Sequence, residues 1–137
     1  FFKKGKIKVI NDSKATSFES SKFALQSNRN IFWIVGGLPK LGDKFHLNSL
    51  KKNIVKSYII GKHKKFFLNQ IKNNINFLIS KNLHFAVKKI FTEIKRIGID
   101  KEITILLSPA GASYDDYKNF EERGNEFKKL IKKINHE

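Results

Sequence analysis

The 137-residue sequence contains no cysteine, which excludes disulfides and thiolate metal sites. It contains no methionine either and opens on Phe1-Phe2-Lys3-Lys4. A fragment, a processed product or an incomplete reading frame is therefore expected. No apolar stretch approaches the roughly 18 residues of a membrane span. The longest, Ile31-Phe32-Trp33-Ile34-Val35, is the size of a strand. No signal-peptide pattern is present. A cytoplasmic chain with no membrane partner is the expectation. Arginine is scarce as well: only three of the 28 basic residues are arginine.

That scarcity bears on the net charge of +16. Such a charge is compatible with a basic nucleic-acid-binding domain. Lysine, asparagine, isoleucine and phenylalanine, all abundant here, share A/T-rich codons, so composition bias accounts for the excess. The lysines are spread over the whole chain, and the arginine fork suited to phosphate and guanine is nearly missing. No nucleic-acid partner is expected. Hydrophobic content of 40% and charged content of 29% are ordinary for a soluble domain with its own core.

Apolar runs alternate with amphipathic ones. Ile7–Ile10, Ile31–Val35, Val55–Ile60, Phe77–Ile79 and Ile103–Leu107 read as strands. Phe18–Gln26, Lys64–Lys72, Leu83–Ile97 and Asn119–Ile134 read as helices, and Leu47–Asn53 as a short one. Val87, Ile90, Phe91, Ile94 and Ile97 follow helical spacing. Solid apolar strands between such helices predict an α/β fold. The expectation is a single Rossmann-like domain over residues 1–137, with a mostly parallel sheet and helices on both faces. The first strand–helix turn lacks the Gly-rich dinucleotide fingerprint, so no nicotinamide cofactor is expected.

Three segments rich in small and polar residues each follow a strand. They are Asn11-Asp12-Ser13-Lys14-Ala15-Thr16, Gly36-Gly37-Leu38-Pro39-Lys40, and Ser108 to Ser113. In a parallel sheet all three lie on one edge, where open α/β sheets bind ligands. They supply lysines, hydroxyls, a carboxylate and backbone N–H groups, which suits an anionic small molecule. Each also has a plainer reading. Asn11-Asp12-Ser13 serves equally as a turn and N-cap. Gly36-Gly37 serves as a tight strand exit, Lys40 as a surface lysine and Ser113 as a cap. Gly37 to Lys44 approaches a P-loop, but Asp43 stands where lysine must be. His46, His63, His84 and His136 show no metal-ligand spacing.

The same residues resemble the C-terminal domain of the D-glutamate-adding members of the Mur ligase family. Asn11 to Thr16 is similar to the N-D-S-K-A-T segment that opens that domain. Gly36-Gly37 with Lys40 and Asp43 resembles its G-G-x-x-K-x-x-D segment. Leu106 to Ser113, then Asp115, Asn119-Phe120-Glu121 and Arg123-Gly124, resembles its L-L-S-P-A-C-A-S…D…N-F-E-x-R-G segment. The correspondence runs from Gly5 to the C-terminus. Other Mur ligases open the domain with a D-Y-x-H-x-P type sequence. Two departures stand out: Gly111 replaces a cysteine, and Lys44 intervenes between Asp43 and Phe45.

The resemblance implies a ligase that adds D-glutamate to UDP-N-acetylmuramoyl-L-alanine in peptidoglycan biosynthesis through an acyl phosphate. It implies that Thr16 and Lys40 hold the α-carboxylate of D-glutamate. Ser113 and the backbone around Phe120 would hold its side-chain carboxylate. Asp12 and Lys14 would face the nucleotide or the intermediate. ATP and Mg²⁺ would be bound mainly by a central domain, and the UDP-sugar by an N-terminal one, both absent from this chain. No catalytic residue and no metal ligand is implied here. The chain is expected to be monomeric and inactive alone. The alternative is a stand-alone Rossmann-like anion-binding module without catalysis.

Overall fold

The computed structural model describes residues 2–98 and 101–135, so Phe1 and His136 lie outside the described residues. Strands β1 (Phe2–Lys4), β2 (Ile7–Asn11), β3 (Ile31–Gly36), β4 (Ile54–Ile60), β5 (Phe77–Ile79) and β6 (Ile103–Leu107) form one sheet. Helices α1 (Phe18–Ser27), α2 (Lys64–Ile71), α3 (Leu83–Ile97) and α4 (Phe120–Asn135) cover it. The strand order is β1-β2-β6-β3-β4-β5. Only β1, against β2, is antiparallel; the other neighbours run parallel. The mostly parallel α/β expectation holds. The antiparallel edge strand β1 is an addition: its sequence, Phe2-Lys3-Lys4, lacks the apolar run that marks the equally short Phe77–Ile79.

All six residues of β3 are buried, as a strand covered on both faces requires. Its side chains alternate between two cores. Trp33 and Val35 pack with Phe18 and Leu25 of α1 and Phe67 and Ile71 of α2. Phe32 and Ile34 pack with Val87 and Ile90 of α3 and Phe127 and Ile131 of α4. So α1 and α2 lie on one face, and α3 and α4 on the other.

The short helix expected over Leu47–Asn53 is corrected to one 3-10 turn at Lys51–Asn53. Leu47, Leu50 and Asn53 are the buried positions. A repeat of three suits the 3-10 form, whose side chains eclipse every third residue. The Asn53 side chain donates to the Leu25 carbonyl at 3.0 Å, fixing the turn to the end of α1.

Candidate functional site

The three polar segments follow β2, β3 and β6, which are adjacent in the sheet in the order β2-β6-β3. Chain order and sheet order differ at this point. β2 leads into α1 on one face, while its neighbour β6 leads towards α4 on the other. Chains leaving in opposite directions open a crevice at the carboxyl ends of the strands.

Hydrogen bonds join the three loops across that crevice. The Asp12 N–H donates to the Leu107 carbonyl at 2.7 Å. The Ser108 hydroxyl donates to Asp12 Oδ2 at 2.7 Å. Leu38 and Ala112 exchange two backbone bonds, each 2.8 Å, forming an isolated antiparallel bridge between the β3 and β6 exits. Gly36 N–H donates to the Pro109 carbonyl at 2.9 Å. The Ser13 hydroxyl donates to the Phe120 carbonyl at 2.7 Å, tying the first loop to the start of α4.

Arg123 sits beneath this junction and is 1% exposed. Its Nε donates to Ser13 Oγ at 3.0 Å and its Nη2 to the Ser13 carbonyl at 2.6 Å. Burial lowers the pKa of its guanidinium to about 10, with Asp115 and Tyr117 pulling the other way. Gly37 makes room for the assembly. Its φ is +139°, and a Cβ there would lie 2.4 Å from the Ala112 carbonyl oxygen and 3.1 Å from Arg123 Nη1. Asp115 Oδ2 accepts from the Lys62 N–H at 3.0 Å, which brings the β4 exit to the same edge.

Burial holds the Asp12 carboxyl above its ordinary range, and the Ser108 hydrogen bond and Lys14 partly offset this. On this edge Thr16, Lys14, Leu38 and Lys40 are exposed, Phe120 is 40% exposed and Ser113 is buried. An open recess of about 200 Å³ borders the junction, lined by Asn11, Ser13, Lys14, Phe120, Gly124 and Lys128 among others. It takes in Lys14 and Phe120 but not Thr16, Lys40 or Ser113. Ser113 does not cap α4 directly: its carbonyl accepts from the Asp116 and Tyr117 N–H groups, and α4 begins later, at Phe120. Asn119 caps that helix by accepting from the Glu122 N–H at 2.8 Å.

The loop after Gly37 does not cradle phosphate. Asp43 Oδ2 accepts from the Phe18 N–H at 2.8 Å, so it serves the start of α1. A P-loop needs a helix beginning right after the loop, and here β4 follows after one 3-10 turn. Among the described residues no group of three or more histidines and carboxylates could hold a metal ion. No helix of the described residues is long and apolar enough to cross a membrane.

No family model matches the chain. Individual curated proteins do. The UDP-N-acetylmuramoylalanine–D-glutamate ligase of Wolbachia sp. subsp. Brugia malayi is 42% identical over 125 residues, covering 91% of this chain and 25% of that protein. The ligase of the same name from Fusobacterium nucleatum is 42% identical over 142 residues, covering 98% of this chain and 32% of that protein. That from Wolbachia pipientis wMel is 39% identical over 133 residues, covering 95% and 26%. The chain belongs to the D-glutamate-adding Mur ligase family, as its C-terminal region. It spans between a quarter and a third of the length of these Mur ligases.

The two departures from the Mur ligase pattern are absorbed locally. A Cβ at Gly111 would lie 3.0 Å from the Phe67 ring, so Phe67 occupies space next to the replaced cysteine. Lys44 is exposed, while Asp43 still meets Phe18 and Phe45 still reaches the core. Sequence reasoning placed Ser13 and Ser108 in the edge segments and Arg123 in the N-F-E-x-R-G resemblance but gave none of them a role; the structure ties Ser108 to Asp12 and Arg123 to Ser13. The scarcity of arginine narrows the choice to Arg29, Arg96 and Arg123, and only the apolar stripe of the last helix beside it marks Arg123.

Proposed function

We propose that this chain is the D-glutamate-binding domain of a ligase that joins D-glutamate to UDP-N-acetylmuramoyl-L-alanine in peptidoglycan biosynthesis. The observation that carries this reading is the meeting of three loops on one sheet edge, joined by the Leu38–Ala112 bridge and the Ser13–Phe120 hydrogen bond. The names of the relatives support it. D-glutamate has two carboxylates set apart along a short chain. Lys40 with the Thr16 hydroxyl takes the α-carboxylate. Ser113 with the backbone N–H groups around Phe120 takes the other, favoured by the positive end of α4. Holding both ends fixes the amine for attack, so the contribution is mainly positioning.

In the complete ligase the amine attacks an acyl phosphate of the alanyl carboxylate, and phosphate leaves. ATP and Mg²⁺ are held mainly by a central domain and the UDP-sugar by an N-terminal one, outside this chain. Asp12 and Lys14 face that side of the cleft. The whole enzyme is cytoplasmic and monomeric in this reading, and the chain alone is inactive.

The test is an amide chemical-shift titration of the ¹⁵N-labelled chain with D-glutamate, with L-glutamate as control. Shifts at Thr16, Lys40, Ser113 and Phe120 that favour the D-enantiomer are expected. Equal responses to both enantiomers, or shifts confined to other surfaces, would refute the assignment.

A further inference from the structure

We propose that Arg123 is a positioning residue of the D-glutamate site, a buried clamp that holds the three loops in one arrangement before the ligand arrives. The ligand's identity rests on the reading above; the clamp itself does not.

The two side-chain hydrogen bonds of Arg123 go to a loop. Both run to Ser13, 110 positions away in sequence, and Ser13 passes the connection to the Phe120 carbonyl. One residue thus ties the segment carrying Asp12, Lys14 and Thr16 to the start of α4. Its Nη1 lies against Gly37, at the root of the loop carrying Lys40, and is buried with no hydrogen-bond partner. Asp115 favours its charge from a distance, but among the described residues no carboxylate pairs with it within 4.0 Å. A cation buried this way is costly compared with an apolar residue of similar volume. Packing alone therefore does not account for it, whereas a rigid planar fork that orders two donors onto one residue does.

Glycines on both sides preserve the fit. A Cβ at Gly124 would lie 2.9 Å from Asn11 Nδ2 and 3.2 Å from Ser13 Cβ, so glycine lets α4 dock directly on the first loop without displacing the Asn11 side chain. The sheet does not depend on the clamp, since β2, β6 and β3 are joined by their own ladders. Removing the fork should therefore loosen the loops and leave the core in place. A loosened site has to pay the ordering cost when ligand binds.

The experiment compares the chain with Arg123→Lys, which keeps the charge but loses the fork, and with Ser13→Ala, which loses the shared hydroxyl. Hydrogen exchange is followed at Ala15, Leu38 and Ala112, whose amides donate within and between the loops, and at core amides of β3 and β6. D-glutamate affinity is measured by the same NMR titration. Both variants should speed exchange at the three loop amides by at least about tenfold and leave the core amides unchanged. Both should weaken D-glutamate binding by about tenfold. Unchanged loop exchange overturns the clamp. So does an equal acceleration of loops and core, which would make Arg123 a stability residue only. Loosened loops with unaltered D-glutamate affinity overturn the positioning role. If Arg123→Lys does not fold, Ser13→Ala decides by the same criteria. If the parent chain binds no D-glutamate, the proposed function fails, and loop exchange still decides the clamp.

Discussion

Lys40 stands exposed on the β3 exit loop, one residue beyond Pro39. A charged hydrogen bond to a carboxylate contributes roughly 1.5–3 kcal/mol. In the intact ligase Lys40→Ala should therefore lower kcat/KM for D-glutamate on the order of 10- to 150-fold. ATP and the UDP-substrate should be used nearly as before. An equal loss for all three substrates would signal misfolding or impaired closure, and no loss for D-glutamate would return Lys40 to the role of a surface lysine. Asp12 gives a prediction of opposite character. Its folded pKa is raised above 3.8, mainly by burial. The unfolded chain therefore releases this proton first, and the group costs stability as pH rises through the window that starts at 3.8. Asp12→Asn removes that cost but also the charged acceptor for Ser108. Relative to the parent, the variant's Tm should improve between about pH 3 and about pH 7. Paired melts at the two pH values measure it, and a relative Tm that falls with rising pH contradicts the sign.

At the scale of elements, the site depends on the exits of β3 and β6 lying side by side. Gly37 is where the two exits press together, with φ +139° and the Ala112 carbonyl oxygen 2.4 Å from where a Cβ would stand. Gly37→Ala combines backbone strain with a steric clash, and should destabilise the chain by more than about 2 kcal/mol. Denaturant unfolding measures this. A change within about 0.5 kcal/mol, the usual range for a surface substitution, would mean that the bridge between Leu38 and Ala112 bends easily. The loop beyond Lys40 is held from the other side. Phe45 stacks on Phe18 at 4.8 Å between ring centroids and meets Phe67 edge-on at 5.9 Å. Lys40 is thus carried by a loop fixed at both ends, by the bridge at Leu38 and by Asp43 and Phe45 beyond it.

At the scale of the molecule, two cores share one sheet, each closed by two helices. Burial on both faces couples the elements, so one cooperative thermal transition is expected, with coincident near- and far-UV signals. Two separated transitions would mean that the faces melt independently. The whole chain should also be inert as an enzyme. It offers no phosphate cradle after Gly37 and, among the described residues, no metal-ligand cluster. Mixed with ATP, Mg²⁺, UDP-N-acetylmuramoyl-L-alanine and D-glutamate, it should release no phosphate above blank. Release above blank would show a catalytic apparatus outside the proposed one.

Local pattern was enough for the strands Ile103–Leu107 and Ile31–Val35 and the helix Leu83–Ile97, because solid apolar runs and helical stripes are set by neighbours in sequence. Grouping three polar segments on one edge also followed from the sequence alone, because every strand of a parallel sheet presents the same end. Their adjacency did not follow. It required β6 to insert between β2 and β3, a long-range pairing that no local period encodes. The three-residue strand β1 and the 3-10 turn at Lys51–Asn53 were hidden because they are short and carry lysines in place of the apolar run that marks Phe77–Ile79. Arg123 was legible as part of the N-F-E-x-R-G resemblance, but its role was not. Its sequence position says only that it lies on the last helix, and its partner Ser13 is 110 residues away. The close packing of α4 against the first loop is what turns this arginine into a buried fork, and only the tertiary structure brings that packing about.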